Sequence, residues 1–113
     1  MTAEPSPTAA PHPLPLVVTA EGQRATLTFS GALEARMVRE LEERLADPQL
    51  RQTREWLLEM SALTRLDLAC AYALLRAATT FPEPVTLHVR GARRAVQRTL
   101  RDAGVDAVAT IDE

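Results

Sequence analysis

Trp56-Leu57-Leu58-Glu59-Met60 is a short, almost wholly apolar run. It lacks the three-to-four-residue spacing of an amphipathic helix and is too short for a long buried one, so it reads as a strand held inside a sheet. Upstream, Leu33, Met37, Val38, Leu41 and Leu45 recur at helical spacing, with Glu40 and Arg44 four apart on the opposite face. This predicts a first helix, which Asp47 and Pro48 stop. Further back, Leu16 to Thr19 and Ala25 to Ser30 read as strands joined by a turn at Glu21 and Gly22, and Gly31 is expected to end the hairpin.

Downstream, Ser61 to Leu66 is expected to be a connecting loop. Asp67 then serves as the N-cap of a second helix through Leu68, Tyr72, Leu75 and Ala78. That helix is unusually apolar. Its small residues Ala69, Cys70, Ala71 and Ala73 permit close approach, either by the sheet of the same domain or by a partner. Pro82 and Pro84 bracket a turn, and Val85, Leu87 and Val89 alternate with Thr86, His88 and Arg90 as in a half-buried strand that Gly91 ends. A third helix places Ala92, Val96, Leu100 and Ala103 on its inner face and stops at Gly104. Val105 to Ile111 is expected to form a short last strand. The order ββαβαβαβ predicts an α/β fold, an open mixed sheet of about four to five strands with right-handed crossovers and helices packed on it.

The totals are consistent with one domain. A chain of 113 residues has room for a single core, and a composition 46% hydrophobic and 25% charged is that of an ordinary globular protein. No apolar run reaches the roughly 18 residues of a membrane span, so no membrane insertion is expected. The formal net charge of −2 gives no general attraction to nucleic acid, and direct DNA binding is not expected. Residues 1–15 hold Pro5, Pro7, Pro11, Pro13 and Pro15 and few large apolar side chains, which reads as a flexible tail preceding a domain over 16–113. That tail has no basic stretch leading into an apolar core, and Cys70 is the one cysteine, so a reducing cytoplasmic address is expected.

Three segments in this order resemble the STAS domain family, the module of anti-sigma factor antagonists and sulphate transporter tails. Phe29-Ser30-Gly31-Ala32-Leu33-Glu34 resembles the family's Gly-Glu-Leu-Asp turn between second strand and first helix. Leu57-Leu58-Glu59-Met60-Ser61-Ala62-Leu63 resembles its central strand, which typically ends in Asp-Leu-Ser. Val89-Arg90-Gly91, followed by Val96, Leu100 and Ala103-Gly104-Val105, resembles its last strand and helix with an Ala-Gly-Leu ending.

The resemblance implies a STAS-like fold and a protein-interaction role: an antagonist that occupies an anti-sigma factor of the ATP-binding kinase type and so frees a sigma factor for transcription. It places the partner-binding surface at Asp67, Leu68, Ala69, Cys70 and Tyr72. The family signature, Asp-Ser-Ser-Gly or Asp-Ser-Thr-Gly, falls at Asp67-Leu68-Ala69-Cys70, and Leu68 replaces the serine that antagonists present to a kinase. Leucine accepts no phosphate, so the family's charge switch is expected to be absent there. The nearest hydroxyls are Ser61, Thr64, Thr79 and Thr80, which read mainly as backbone partners in the loop and at the helix end. The resemblance also admits a STAS subunit of a lipid-transport ATP-binding cassette complex, and it allows a homodimer.

Asp67 reads as a cap rather than a catalytic acid. Cys70 reads as a buried small residue, with thiol reactivity the minor reading. Arg90, Arg93, Arg94, Arg98 and Arg101 make the one basic cluster, and Arg94, Arg98 and Arg101 share a helical face. Such clusters are mostly solvated surface, and the alternative is an anion-binding site for an acidic protein, a nucleotide or a lipid head group, as in a small-ligand sensor. His12 and His88 have no evident partner in the sequence. With no glycine-rich phosphate loop, nucleophile elbow or clustered metal ligands, neither catalysis nor a metal or other cofactor is expected.

Overall fold

A computed structural model describes residues 14–80 and 85–112. The first thirteen residues of the expected tail, and the turn expected at Pro82 and Pro84, lie outside them. The elements are β1 (Leu16–Glu21), β2 (Arg24–Leu33), α1 (Val38–Leu45), α2 (Pro48–Arg51), β3 (Glu55–Leu66), α3 (Leu68–Thr79), β4 (Thr86–Arg90), α4 (Arg94–Ala103) and β5 (Ala109–Ile111). Tight 3-10 turns at Ala35–Met37 and Val105–Ala107 precede α1 and β5.

The five strands stand in the order β1-β2-β3-β4-β5. β1 is antiparallel to β2, while β2 through β5 are parallel, so the sheet is mixed. The apolar run around Trp56 occupies the central strand. Register aligns Ala25, Trp56 and Leu87 in one row and Leu27, Leu58 and Val89 in the next, and all six are buried. Leu41, Leu45 and Leu50, then Cys70, Ala71, Ala73, Leu74 and Ala78, then Val96 and Leu100 bury against that face from α1 to α4. Each fully buried leucine contributes on the order of 1.5–3 kcal/mol. The small residues of α3 therefore serve the protein's own packing. They let the helix sit in the middle of the layer, in contact with both α1 and α4.

On the opposite face, Arg24, Thr28, Glu55, Thr86 and Arg90 are exposed, and Thr26, Leu57, Glu59 and His88 are partly covered. β3 is thus central but buried on one face only. Trp56 is held there by a local bond, its Nε1–H donating to Thr53 Oγ1 at 2.9 Å, while that hydroxyl donates to the Leu50 carbonyl at 2.6 Å.

Four sequence expectations are corrected. Gly31 does not end the hairpin: β2 runs on to Leu33, with register shifts between Thr28 and Ser30 and between Gly31 and Ala32. Gly31 takes φ of 64°, which an L side chain resists and which lets the strand kink without ending. Ser61 to Leu66 is not a loop but the second half of β3, pairing with Ser30 to Leu33. Alternation hid this, because Leu63 and Leu66 are buried three apart rather than two. Asp47 and Pro48 stop α1 but also start α2, where Pro48 takes the first turn and Asp47 Oδ1 accepts from the Gln49 N–H at 2.8 Å. Leu14, placed in the tail by its composition, is buried in the core just ahead of β1.

Candidate functional site

The family-like motifs meet where the extended ends of β2 and β3 run into the starts of α1 and α3. The backbone of Asp67 takes the N-cap position of α3, with φ −77° and ψ 149°, and its carbonyl accepts the first helical N–H groups, from Cys70 and Ala71. Its side chain does not cap α3, contrary to the sequence expectation. Instead Oδ2 accepts from the Ala35 N–H at 2.8 Å, and Oδ1 accepts from Arg65 Nε at 3.0 Å. The Asp67 N–H donates back to the Leu33 carbonyl at 2.9 Å. The carboxylate thus fastens the turn before α1 to the turn before α3. The Ala35 N–H first, and Arg65 second, hold its pKa below the usual 3.8.

Cys70 completes the junction from inside. It is fully buried, its Sγ–H donates to the Glu34 carbonyl at 3.2 Å, and burial together with the Asp67 charge pushes its pKa up to about 11. A thiol so raised is inert at neutral pH, and its side chain faces away from any partner. The five residues named from the sequence therefore divide. Leu68 and Tyr72 stand 42% and 41% exposed, one helical turn apart on one face. Asp67 and Ala69 are half-buried beside them. Cys70 belongs to the core, so its assignment to the partner surface is corrected.

The hydroxyls nearby are committed within the chain. Ser61 Oγ donates to Glu59 Oε2 at 3.0 Å, and Thr64 Oγ1 donates to the Gly31 carbonyl at 2.9 Å. Thr79 and Thr80 donate to carbonyls of their own helix, Leu75 and Arg76. Arg94, Arg98 and Arg101 do share an exposed face of α4, whereas Arg90 leaves the cluster for the open face of the sheet. There it donates to Glu59 Oε1 at 2.8 Å and, ahead of Ser61, holds that carboxyl below its ordinary pKa. His88 has a partner that sequence reading missed: its Nε2 lies 2.9 Å from Asp112 Oδ2, across the β4–β5 register. His12 lies outside the described residues. Among the described residues, no three His, Cys, Asp or Glu side chains group to hold a metal, and no helix is long and apolar enough to cross a membrane.

With this geometry the family can be settled. The family profile described as "Mlab, STAS domain" matches residues 16–111. The chain belongs to the STAS domain family. Among solved structures, the fold is similar to that of an anti-sigma factor antagonist from Mycobacterium paratuberculosis, at a TM-score of 0.69 and 14% identity, over 85% of this chain and 82% of that one. It is also similar to the anti-sigma factor antagonist SpoIIAA in its unphosphorylated form, at a TM-score of 0.61 and 8% identity, over 87% of each chain. No curated protein matches the sequence significantly. At these identities the likeness to both structures is one of fold: a STAS domain with a five-stranded mixed sheet and four helices on it.

Proposed function

We propose that this STAS domain is a cytoplasmic regulatory binding module that occupies an anti-sigma factor of the ATP-binding kinase type through the first turn of α3. One observation carries the reading. Leu68 and Tyr72, two of the few large apolar side chains left exposed, are presented together on a helix start that Asp67 and Cys70 anchor from below. An apolar pair on a rigid element is what a binding hot spot needs, since its atoms are desolvated on association with little ordering cost. Membership of the STAS family and the antagonist fold support the choice of partner class.

In this reading the contact surface is Asp67, Leu68, Ala69 and Tyr72, and binding is not under phosphate control at Leu68, which offers no hydroxyl. A second reading, a STAS subunit bound to the ATPase of a lipid-transport complex, is favoured by one observation: the matching family profile bears the name Mlab rather than that of an antagonist. Both readings use the same helix face for a protein partner.

A pull-down from native lysate with the tagged chain and its Leu68→Asp and Leu68→Ser variants tests the proposal. Recovery of a kinase-fold anti-sigma factor by the parent chain and Leu68→Ser, weakened about tenfold or more by Leu68→Asp, is the expected result. Recovery of a transporter ATPase instead favours the second reading. Recovery of neither, or equal capture by Leu68→Asp, overturns the assignment of this face.

A further inference from the structure

We propose that the free edge of β1 is a self-pairing interface, at which the β1 strands of two copies run antiparallel and join two five-stranded sheets into one. The two edges of the sheet differ. β5 has only three residues, and its end is tied down by the Asp112 N–H to the Val89 carbonyl and by the His88–Asp112 contact. β1 has six, Leu-Val-Val-Thr-Ala-Glu, with no charge, proline or bulge between Leu16 and Ala20. Sheet edges are ordinarily protected by shortness, charge, proline or bulges, and from Leu16 to Ala20 β1 carries no charge, proline or bulge, Glu21 being the one charge at its end. It also bears Val17, 62% exposed and the most exposed of the large apolar side chains described.

The backbone shows which groups face outward. The Ser30 N–H donates to the Pro15 carbonyl, and the Gln23 carbonyl accepts from Arg54 and Glu55 on the β3 side. Alternation then turns the backbone groups of Val17, Thr19 and Glu21 toward β2, and those of Leu16, Val18 and Ala20 toward the free edge. The Leu16 N–H is already used by the Leu14 carbonyl at 2.8 Å. A two-fold axis at Val18 pairs these groups. Each Val18 N–H donates to the other copy's Val18 carbonyl, and each Ala20 N–H to the other copy's Leu16 carbonyl.

The same register sets Leu16 opposite Ala20 and Val18 opposite Val18 on the helix-covered face, and Val17 opposite Thr19 on the open face. Every pair is uncharged, so the edge is complementary to itself, as an isologous dimer requires. The chain's own first residues are poorer occupants, since prolines at 5, 7, 11 and 13 have no N–H to give a ladder. α3 lies over the middle of the sheet, so pairing at β1 leaves Leu68 and Tyr72 uncovered.

The test is the mass of the full chain by light scattering from about 10 μM to 1 mM, a range suited to a small interface. It is run beside two double variants, Val17→Lys with Thr19→Lys and Val17→Lys with Thr19→Glu. The first sets like charges opposite each other across the two-fold, and the second sets opposite charges there. The parent chain is expected to approach twice its 12.4 kDa protomer mass. The Lys/Lys variant should dissociate about tenfold more readily, and the Lys/Glu variant should recover. Hydrogen exchange of the Val18 and Ala20 amides should slow as the protein is concentrated. A parent chain that stays monomeric overturns the proposal, whether those amides are unprotected or are protected at every concentration by the chain itself. So does equal dimerisation by the two folded variants.

Discussion

Substituting Asp67 isolates the fastening of the two helix starts. In Asp67→Ala, the Ala35 N–H and the Arg65 guanidinium lose their acceptors, and the turn before α1 is no longer tied to that before α3. A hydrogen bond to a charged group contributes about 1.5–3 kcal/mol, but Arg65 is largely exposed and water partly replaces what it loses. The net cost is therefore about 1–2 kcal/mol, or roughly 5–10 °C in Tm for a domain of this size. Asp67→Asn keeps one acceptor oxygen and should cost about half as much. The pH dependence separates charge from shape. Because the folded pKa lies below the unfolded 3.8, the carboxylate's contribution is present in full above that value and is lost as pH falls through the depressed folded pKa. Denaturant melts at neutral pH and near pH 2.5 should show the gap between the parent chain and Asp67→Asn open at the first and closing at the second. A gap of equal size at both values, or none at neutral pH, would refute the account of Asp67 as a charged fastener.

Two further outcomes follow from the packing around this junction. Cys70, with its thiol raised to about 11, should react with an aromatic disulfide at pH 8 at least roughly a hundredfold more slowly in the native protein than in denaturant; equal rates would place the thiol at the surface. Gly91→Ala should destabilise by about 1–2 kcal/mol or more, because φ is 77° and an added Cβ would lie 2.8 Å from that of Ser61. Adding Ser61→Gly removes the nearest contact but leaves the 3.1 Å approaches to the residue 61 Cα and N and the backbone cost, so the double variant should stay less stable in denaturant melts than Ser61→Gly alone.

The fold was legible because its signals are local. The spacing of Val38, Leu41 and Leu45, the alternation over Val85 to Val89, and Gly104 closing α4 each record a helix or strand in a few consecutive residues, although Leu33, expected on the first helix, instead ends β2. The run from Trp56 to Met60 likewise placed the central strand. Where the reading of β3 failed, the deciding partner was remote. Ser61 to Leu66 is a strand because Ser30 to Leu33, past the kink at Gly31, offers it a ladder. Nothing in the hexapeptide records that.

The candidate site divides in the same way. The sequence determined by itself that Asp67 begins a helix, that Leu68 brings no hydroxyl to its first turn, and that α3 is built of small apolar residues. Only the tertiary structure decided what those residues do. Of the two partners of the Asp67 carboxylate, the backbone one lies 32 residues away at Ala35, and the carbonyl that holds Cys70 lies 36 away at Glu34. Burial turned Cys70 inward and left Leu68 and Tyr72 outward, a sorting set by the sheet and by α1 and α4 on either side of the helix. Local periodicity is written in neighbouring residues, whereas a side chain's partner depends on which distant segment the sheet brings beside it.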